Sequence, residues 1–230
     1  MDEDTYAHQT VQRARQAEQA SPNGRLPVPS YASWPSFPYE GDLRVRHVGD
    51  VVIPEPPREG EAGVDCHACA APDEEYLWTD ADWRLRSTAE PSGLPLVLLL
   101  EPRIHADLHD LPTPLRSGMG EMLCRVEAAL TSLGGIARVH VSRIGDGAEH
   151  LHWWFMARPL GLVQARGSFA VEWDDVLPPR PRSEWEADLQ RVAAALRRRP
   201  RSAKQPAIVH GEADGFRARP GAGLADGAAH

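Results

Sequence analysis

The sequence predicts one domain of mixed strands and helices with extensions at both ends, and three stretches predict it. After a turn of Gly145, Asp146 and Gly147, the run from His150 to Arg158 alternates aromatic and aliphatic residues, the habit of a β-strand. Residues 95–101 form a short continuous apolar run, which suits a central strand buried on both faces. Between them Leu115, Met119, Met122, Val126, Leu130 and Leu133 recur at steps of three and four, so a helix would carry them as one apolar stripe.

In chain order, a polar run over 11–20 reads as a helix that ends at Ser21, Pro22, Asn23 and Gly24. Residues 26–63 are rich in proline, with Tyr31, Trp34, Phe37 and Tyr39 scattered among them. Short strands are expected at 42–48 and 51–53, then a proline-rich linker. The whole of 1–63 is read as an ordered arm that packs on a core without making its own. The compact domain is expected over 64–182, opening with a hairpin of 75–79 and 83–86. Thr113 and Pro114 supply a helix start, and Gly134 and Gly135 its stop. A strand over 137–144 follows, then the His150–Arg158 run. Side chains in a strand change faces at every step, so His150, His152, Trp154 and Met156 should share one face. Leu151, Trp153, Phe155 and Ala157 would take the other, wholly apolar one. Residues 162–167 and 168–173 are expected to form a strand pair or an irregular cover. A C-terminal helix is expected over 183–199, with Trp185, Leu189, Val192, Ala193 and Leu196 on one side. The stretch 200–230 has the composition of a disordered tail.

A length of 230 residues with 42% hydrophobic content supports one good core rather than two. The net charge of −8 argues against non-specific binding to nucleic acid or to an anionic membrane. Lys204 is the one lysine, so phosphate contacts would fall to Arg, His or backbone N–H groups. No apolar run has transmembrane length and no leader pattern opens the chain, so a cytoplasmic protein is expected.

The three cysteines do not make a secreted disulfide framework. Cys66 and Cys69 have the spacing that lets one turn present two thiolates to one metal ion. A redox pair would follow a hydrophobic strand and open a helix, and neither flank fits that. Further ligands could come from His67, His105, His109, His140 or His150. His105 stands just past the buried strand and His150 heads the later one, so a closed, structural zinc site of Cys66, Cys69, His105 and His150 is favoured over no metal. Cys124, inside the long helix, reads as a small buried residue.

This order of elements resembles the histidine triad (HIT) superfamily over about residues 64–160. The resemblance lies in the Cys66/Cys69 pair, the strand ending at His105, the long helix, and His150-x-His152-x-Trp154 ahead of Arg158. It implies an α+β fold with an antiparallel sheet and a long central helix, here with the proline-rich arm and C-terminal helix added. It implies activity on nucleoside phosphate conjugates, as a hydrolase or nucleotidyltransferase, and possession of zinc as in the hexose-1-phosphate uridylyltransferase branch, bound by the same four residues. His152 falls at the central nucleophile and Trp154 at the third histidine position. Trp has one N–H donor and no acceptor, so it cannot relay a proton.

The resemblance therefore implies attack by His152 through a nucleotidyl-histidine intermediate, with its other ring nitrogen held by an acceptor. Arg158, Trp154 and the backbone of Gly145 and Gly147 are the expected substrate contacts, with Arg143 weaker and Trp78 and Trp83 possible stacking partners for a base. The alternative is a catalytically impaired, zinc-stabilised nucleotide-binding or interaction protein. Pairing into a homodimer would be in keeping with HIT-like domains.

Overall fold

The computed structural model describes residues 5–198. Its elements are α1 (Tyr6–Ala20), α2 (His67–Ala70), β1 (Trp78–Thr79), β2 (Trp83–Ser87) and β3 (Val97–Pro102), then α3 (Thr113–Thr131), β4 (Ile136–Ser142), β5 (Trp153–Pro159), α4 (Phe169–Val176) and α5 (Arg182–Arg197). The strands make one five-stranded sheet in the order β1-β2-β3-β5-β4, antiparallel at every pairing. The class is α+β. The stretch read as a disordered tail lies outside the described residues.

Burial patterns explain the layers. All six residues of β3 are buried, because it lies between β2 and β5 and both of its faces are covered. On one face Leu96, Leu98 and Leu100 join Phe155, Ala157 and Leu151 with Leu115, Met122, Val126 and Leu130 of α3. Helix α5 closes that layer with Trp185, Leu189, Val192 and Leu196. On the other face Leu94, Val97 and Met156 pack with Trp154. Period-2 alternation therefore holds from Trp153 to Ala157, as the ladder requires.

Four local expectations differ from the structure. Residues 42–48 and 51–53 are irregular, since among the described residues no strand lies beside them to complete a ladder. Residues 168–173 largely belong to the helix α4 rather than to a strand. Cys124 is exposed: it sits two residues from both Met122 and Val126, about 200° round the helix from that stripe. The fourth difference matters most. His150 and His152 precede β5 and lie outside it, because the neighbouring ladders reach only to Leu100↔Trp153 and Ser142↔Trp154. Strand alternation thus does not set where these two rings point.

The arm reaches the body through rings. Tyr31 and Phe37 stand 5.9 and 5.5 Å from Phe169 of α4, and Trp173 Nε1 donates to the Ser36 carbonyl at 2.8 Å. Among the described residues no helix is long and apolar enough to cross a membrane.

Phe155, fully buried opposite Leu98, ties the helical layer to the segment that leads out of the histidine run. Phe155→Ala is expected to cost about 3–5 kcal/mol of unfolding free energy in urea titration, the usual range for such a truncation.

Candidate metal centre and catalytic histidine

The site is built by three chain segments that meet at one end of β3. Cys66 precedes the four-residue helix α2 and Cys69 lies within it, so a single turn carries both thiols. Arg84 of β2 holds that turn by donating Nη1 to the Ala71 carbonyl at 3.1 Å and Nη2 to the Ala68 carbonyl at 2.5 Å. The Arg84 guanidinium also lies over the Tyr76 ring, 4.3 Å from its centroid. His105 follows the end of β3, and His150 comes in on the irregular stretch before β5. That stretch is pinned by Leu151 N–H donating to the Ala106 carbonyl at 2.9 Å.

The four side chains converge. One ligand atom from each of Cys66, Cys69, His105 and His150 lies within 4.8 Å of all the others, a set able to hold a metal ion. His150 Nδ1 is 3.5 Å from both sulfurs, and His105 Nδ1 is 3.5 Å from Cys69 Sγ. The far nitrogen of each ring is engaged elsewhere. His150 Nε2–H donates to the Pro102 carbonyl at 2.9 Å, and His105 Nε2–H donates to Glu149 at 3.1 Å. Both rings are therefore held as the tautomer whose Nδ1 lone pair faces the thiols. Among the other histidines that the sequence offered, His109 contacts Asp110 at the surface and His140 lies on β4.

The electrostatics match a neutral His150 ring beside the thiols. Burial lowers the His150 pKa, partly offset by the hydrogen bond to Pro102. Burial and then the neighbouring Cys66 push the Cys69 thiol up to about 11. Its proton must leave for the sulfur to bind a cation as thiolate. Glu149 is held below the usual carboxylate range, first by the hydrogen bond from His105 and also by Arg58.

His152 stands apart from this cluster. Its Nδ1–H donates to the His150 carbonyl at 2.9 Å, which leaves the Nε2 lone pair for chemistry. The backbone acceptor that the sequence reading requires is thus supplied by the residue two places earlier. The indole of Trp154 sits edge-on, with ring centroids 6.1 Å apart. Trp154 Nε1 is buried with no hydrogen-bond partner among the described residues, and so is Ser142 Oγ, directly opposite Trp154 in the β4–β5 ladder. Sequence reasoning missed Ser142; a hydroxyl on the strand before the histidine run was the one signal it offered.

One expected contact, Arg158, is not brought to His152. Arg158 is six residues down the strand, on the order of 20 Å along it. It is buried and donates to the carbonyls of Pro159 and Leu162. Trp78 and Trp83 belong to the main core, which removes them as stacking partners. Arg143 donates to Asp107. The carbonyls of Gly145 and Gly147 accept from Arg58 Nη1 at 3.1 Å and from Glu59 N–H at 2.9 Å, so that loop is fastened to the arm.

No protein-family model matches the chain, and no curated protein does. In structure the chain is similar to proteins of the histidine triad family. A hypothetical histidine triad nucleotide-binding protein from Sulfolobus tokodaii strain7 is 13% identical, with 57% of this chain and 92% of that one covered and a TM-score of 0.44. A Zn-bound histidine triad family protein from Mycobacterium smegmatis is 20% identical, covering 55% and 86%, with a TM-score of 0.40. A uridylyltransferase is 16% identical over 56% of this chain and 42% of its own length, with a TM-score of 0.40.

Removing one ligand should empty the cluster without unfolding the core. Cys66→Ser and His150→Ala are each expected to lose stoichiometric metal, measured by plasma mass spectrometry on purified protein, and to lower Tm. A Cys124→Ser control, on the exposed face of α3, should retain both.

Proposed function

We propose that the chain is a zinc-stabilised nucleotidyl hydrolase or transferase of the histidine triad type, with His152 as its nucleophile. The observation that carries this reading is the pair of neighbouring rings with different tasks: His150 turned to the thiols, and His152 held through Nδ1 by the His150 carbonyl with Nε2 left free.

The donor set fits zinc. Zinc binds sulfur at about 2.3 Å and imidazole nitrogen at about 2.0–2.1 Å, so a tetrahedral ion would set each sulfur-to-nitrogen edge near 3.5 Å. Three of the four such edges here are 3.5 Å, and the fourth, Cys66 to His105, lies within 4.8 Å. Cys66, Cys69, His105 and His150 would hold the ion. With four protein ligands it supplies cross-linking and orientation, leaving no open position for water.

Chemistry then falls to the chain's own groups. His152 Nε2 attacks the α-phosphorus of a nucleoside phosphate conjugate. A P–N bond forms as the P–O bond to the leaving group breaks, and the bond pair departs on that oxygen. Water or an acceptor phosphate next attacks the same phosphorus, the P–N bond breaks, and the imidazole recovers its lone pair; where water attacks, one of its protons is lost to solvent. The His150 carbonyl holds the ring and stabilises positive charge on it during both steps. Trp154 Nε1–H can donate to a phosphate oxygen but cannot pass a proton on, so this chain favours leaving groups that depart as stable anions. Ser142 Oγ, unpartnered beside it, is a second group a phosphate or sugar oxygen would satisfy.

Incubation with α-labelled nucleoside diphosphate conjugates should trap an acid-labile, base-stable adduct on the wild type and none on His152→Ala. Tight nucleotide binding with neither adduct nor turnover would instead assign the chain to non-catalytic nucleotide binding.

A further inference from the structure

The segment Arg58 to Ala62, which reads in sequence as the end of a proline-rich linker, touches all three parts of the metal centre. Glu59 bridges to Ala148 in parallel: its N–H donates to the Gly147 carbonyl at 2.9 Å, and its carbonyl accepts from Glu149 N–H at 3.0 Å. The Glu59 carboxylate accepts from His67 N–H at 2.7 Å, at the start of the cysteine turn. Gly60 comes against Cys66 so closely that an added Cβ would lie 3.0 Å from the Cys66 Cβ, and its φ of +72° is one that favours glycine.

Arg58 extends the same contact. Its guanidinium donates to Asp107 at 2.8 Å, to the Gly145 carbonyl at 3.1 Å and to Glu149 at 3.3 Å. Asp107 also takes Arg143 and the Leu108 N–H. Glu149 in turn accepts from Ala62 N–H at 2.7 Å and from the ligand ring of His105 at 3.1 Å. One short stretch of the arm thus grips the cysteine turn, the loop after β3 and the loop before β5. The arm and a bound ion join the same three pieces.

We propose that residues 58–62 are a positioning element for the metal centre, with Arg58 as its anchor, and that their docking and metal binding strengthen each other. The physical reason is shared ordering. Whichever event comes first holds the cysteine turn and both histidine loops in place, so the second has less conformational freedom left to remove. Such coupling must be equal in both directions. Arg58 acts on His105 through Glu149 and on the His150–His152 stretch through the Gly145–Glu149 backbone, without touching the ion or a substrate. The inference rests on the metal reading above and is independent of the nucleotide chemistry.

The test uses full-length protein and zinc alone. Zinc affinity is measured by competition with a chromophoric chelator for the wild type, Arg58→Ala and Gly60→Ala. Amide hydrogen exchange is measured on the peptide covering 58–67, with and without zinc, using α1 as the reference. Loss of either contact should weaken zinc binding by about 10–100-fold, as removal of groups that orient metal ligands generally does. Zinc should slow exchange at 58–67 of the wild type by a similar factor while leaving α1 unchanged. Stoichiometric zinc binding whose affinity shifts less than about twofold in both variants would overturn the proposal, and so would an exchange rate at 58–67 indifferent to zinc. The wild-type exchange measurement stands even if a variant fails to fold. Failure of the adduct experiment with coupling intact would sink the nucleotide reading alone.

Discussion

Two thiols and two imidazoles lie within 4.8 Å of one another, and they come from three separate segments of the chain. Without an ion this is an awkward gathering: partly buried donors, a thiol pushed up to about 11 and a buried ring held neutral. With an ion the same arrangement becomes a cross-link between the turn at α2, the end of β3 and the approach to β5. The last of these carries His152. Its Nδ1 is held by the carbonyl of His150, a member of the cluster, so fixing His150 also fixes the nitrogen two residues on. Geometry at the His152 ring is therefore inherited from the cluster, and the apolar layers beneath hold the strand ends that carry both.

Much of the fold could be read from periodicity. The stripe of Leu115, Met122, Val126 and Leu130 is the core face of α3, and the apolar run at 95–101 is the buried strand β3. In both cases local period and tertiary burial agree. Periodicity failed where a ladder was missing. Trp153 to Ala157 alternate faces because β3 and β4 flank them, whereas His150 and His152 have no strand beside them. The segments 42–48 and 51–53 have strand-like residues and no partner strand among the described residues, so they stay irregular.

The site was legible in part, for similar reasons. Cysteine spacing pointed to a metal because two ligands on one turn leave a short local pattern. Arg158 looked like a substrate contact from its nearness in sequence, but an extended strand carries it far from His152, where it bonds the carbonyls of Pro159 and Leu162. Arg58 and Glu59 left no trace, since their partners, Asp107 and Gly145 to Glu149, lie far along the chain and no local rule connects them. The acidic Glu149, which next to a phosphate would look repulsive, is neutralised by Arg58 and oriented toward His105.

The central claim is that these four side chains enclose a single ion with no place left for solvent. X-ray absorption at the zinc edge of the loaded protein tests it most directly. The account predicts two sulfur and two imidazole nitrogen scatterers at about 2.3 and 2.0–2.1 Å, and no bound water. A shell of mostly oxygen ligands, or a single sulfur, would contradict it.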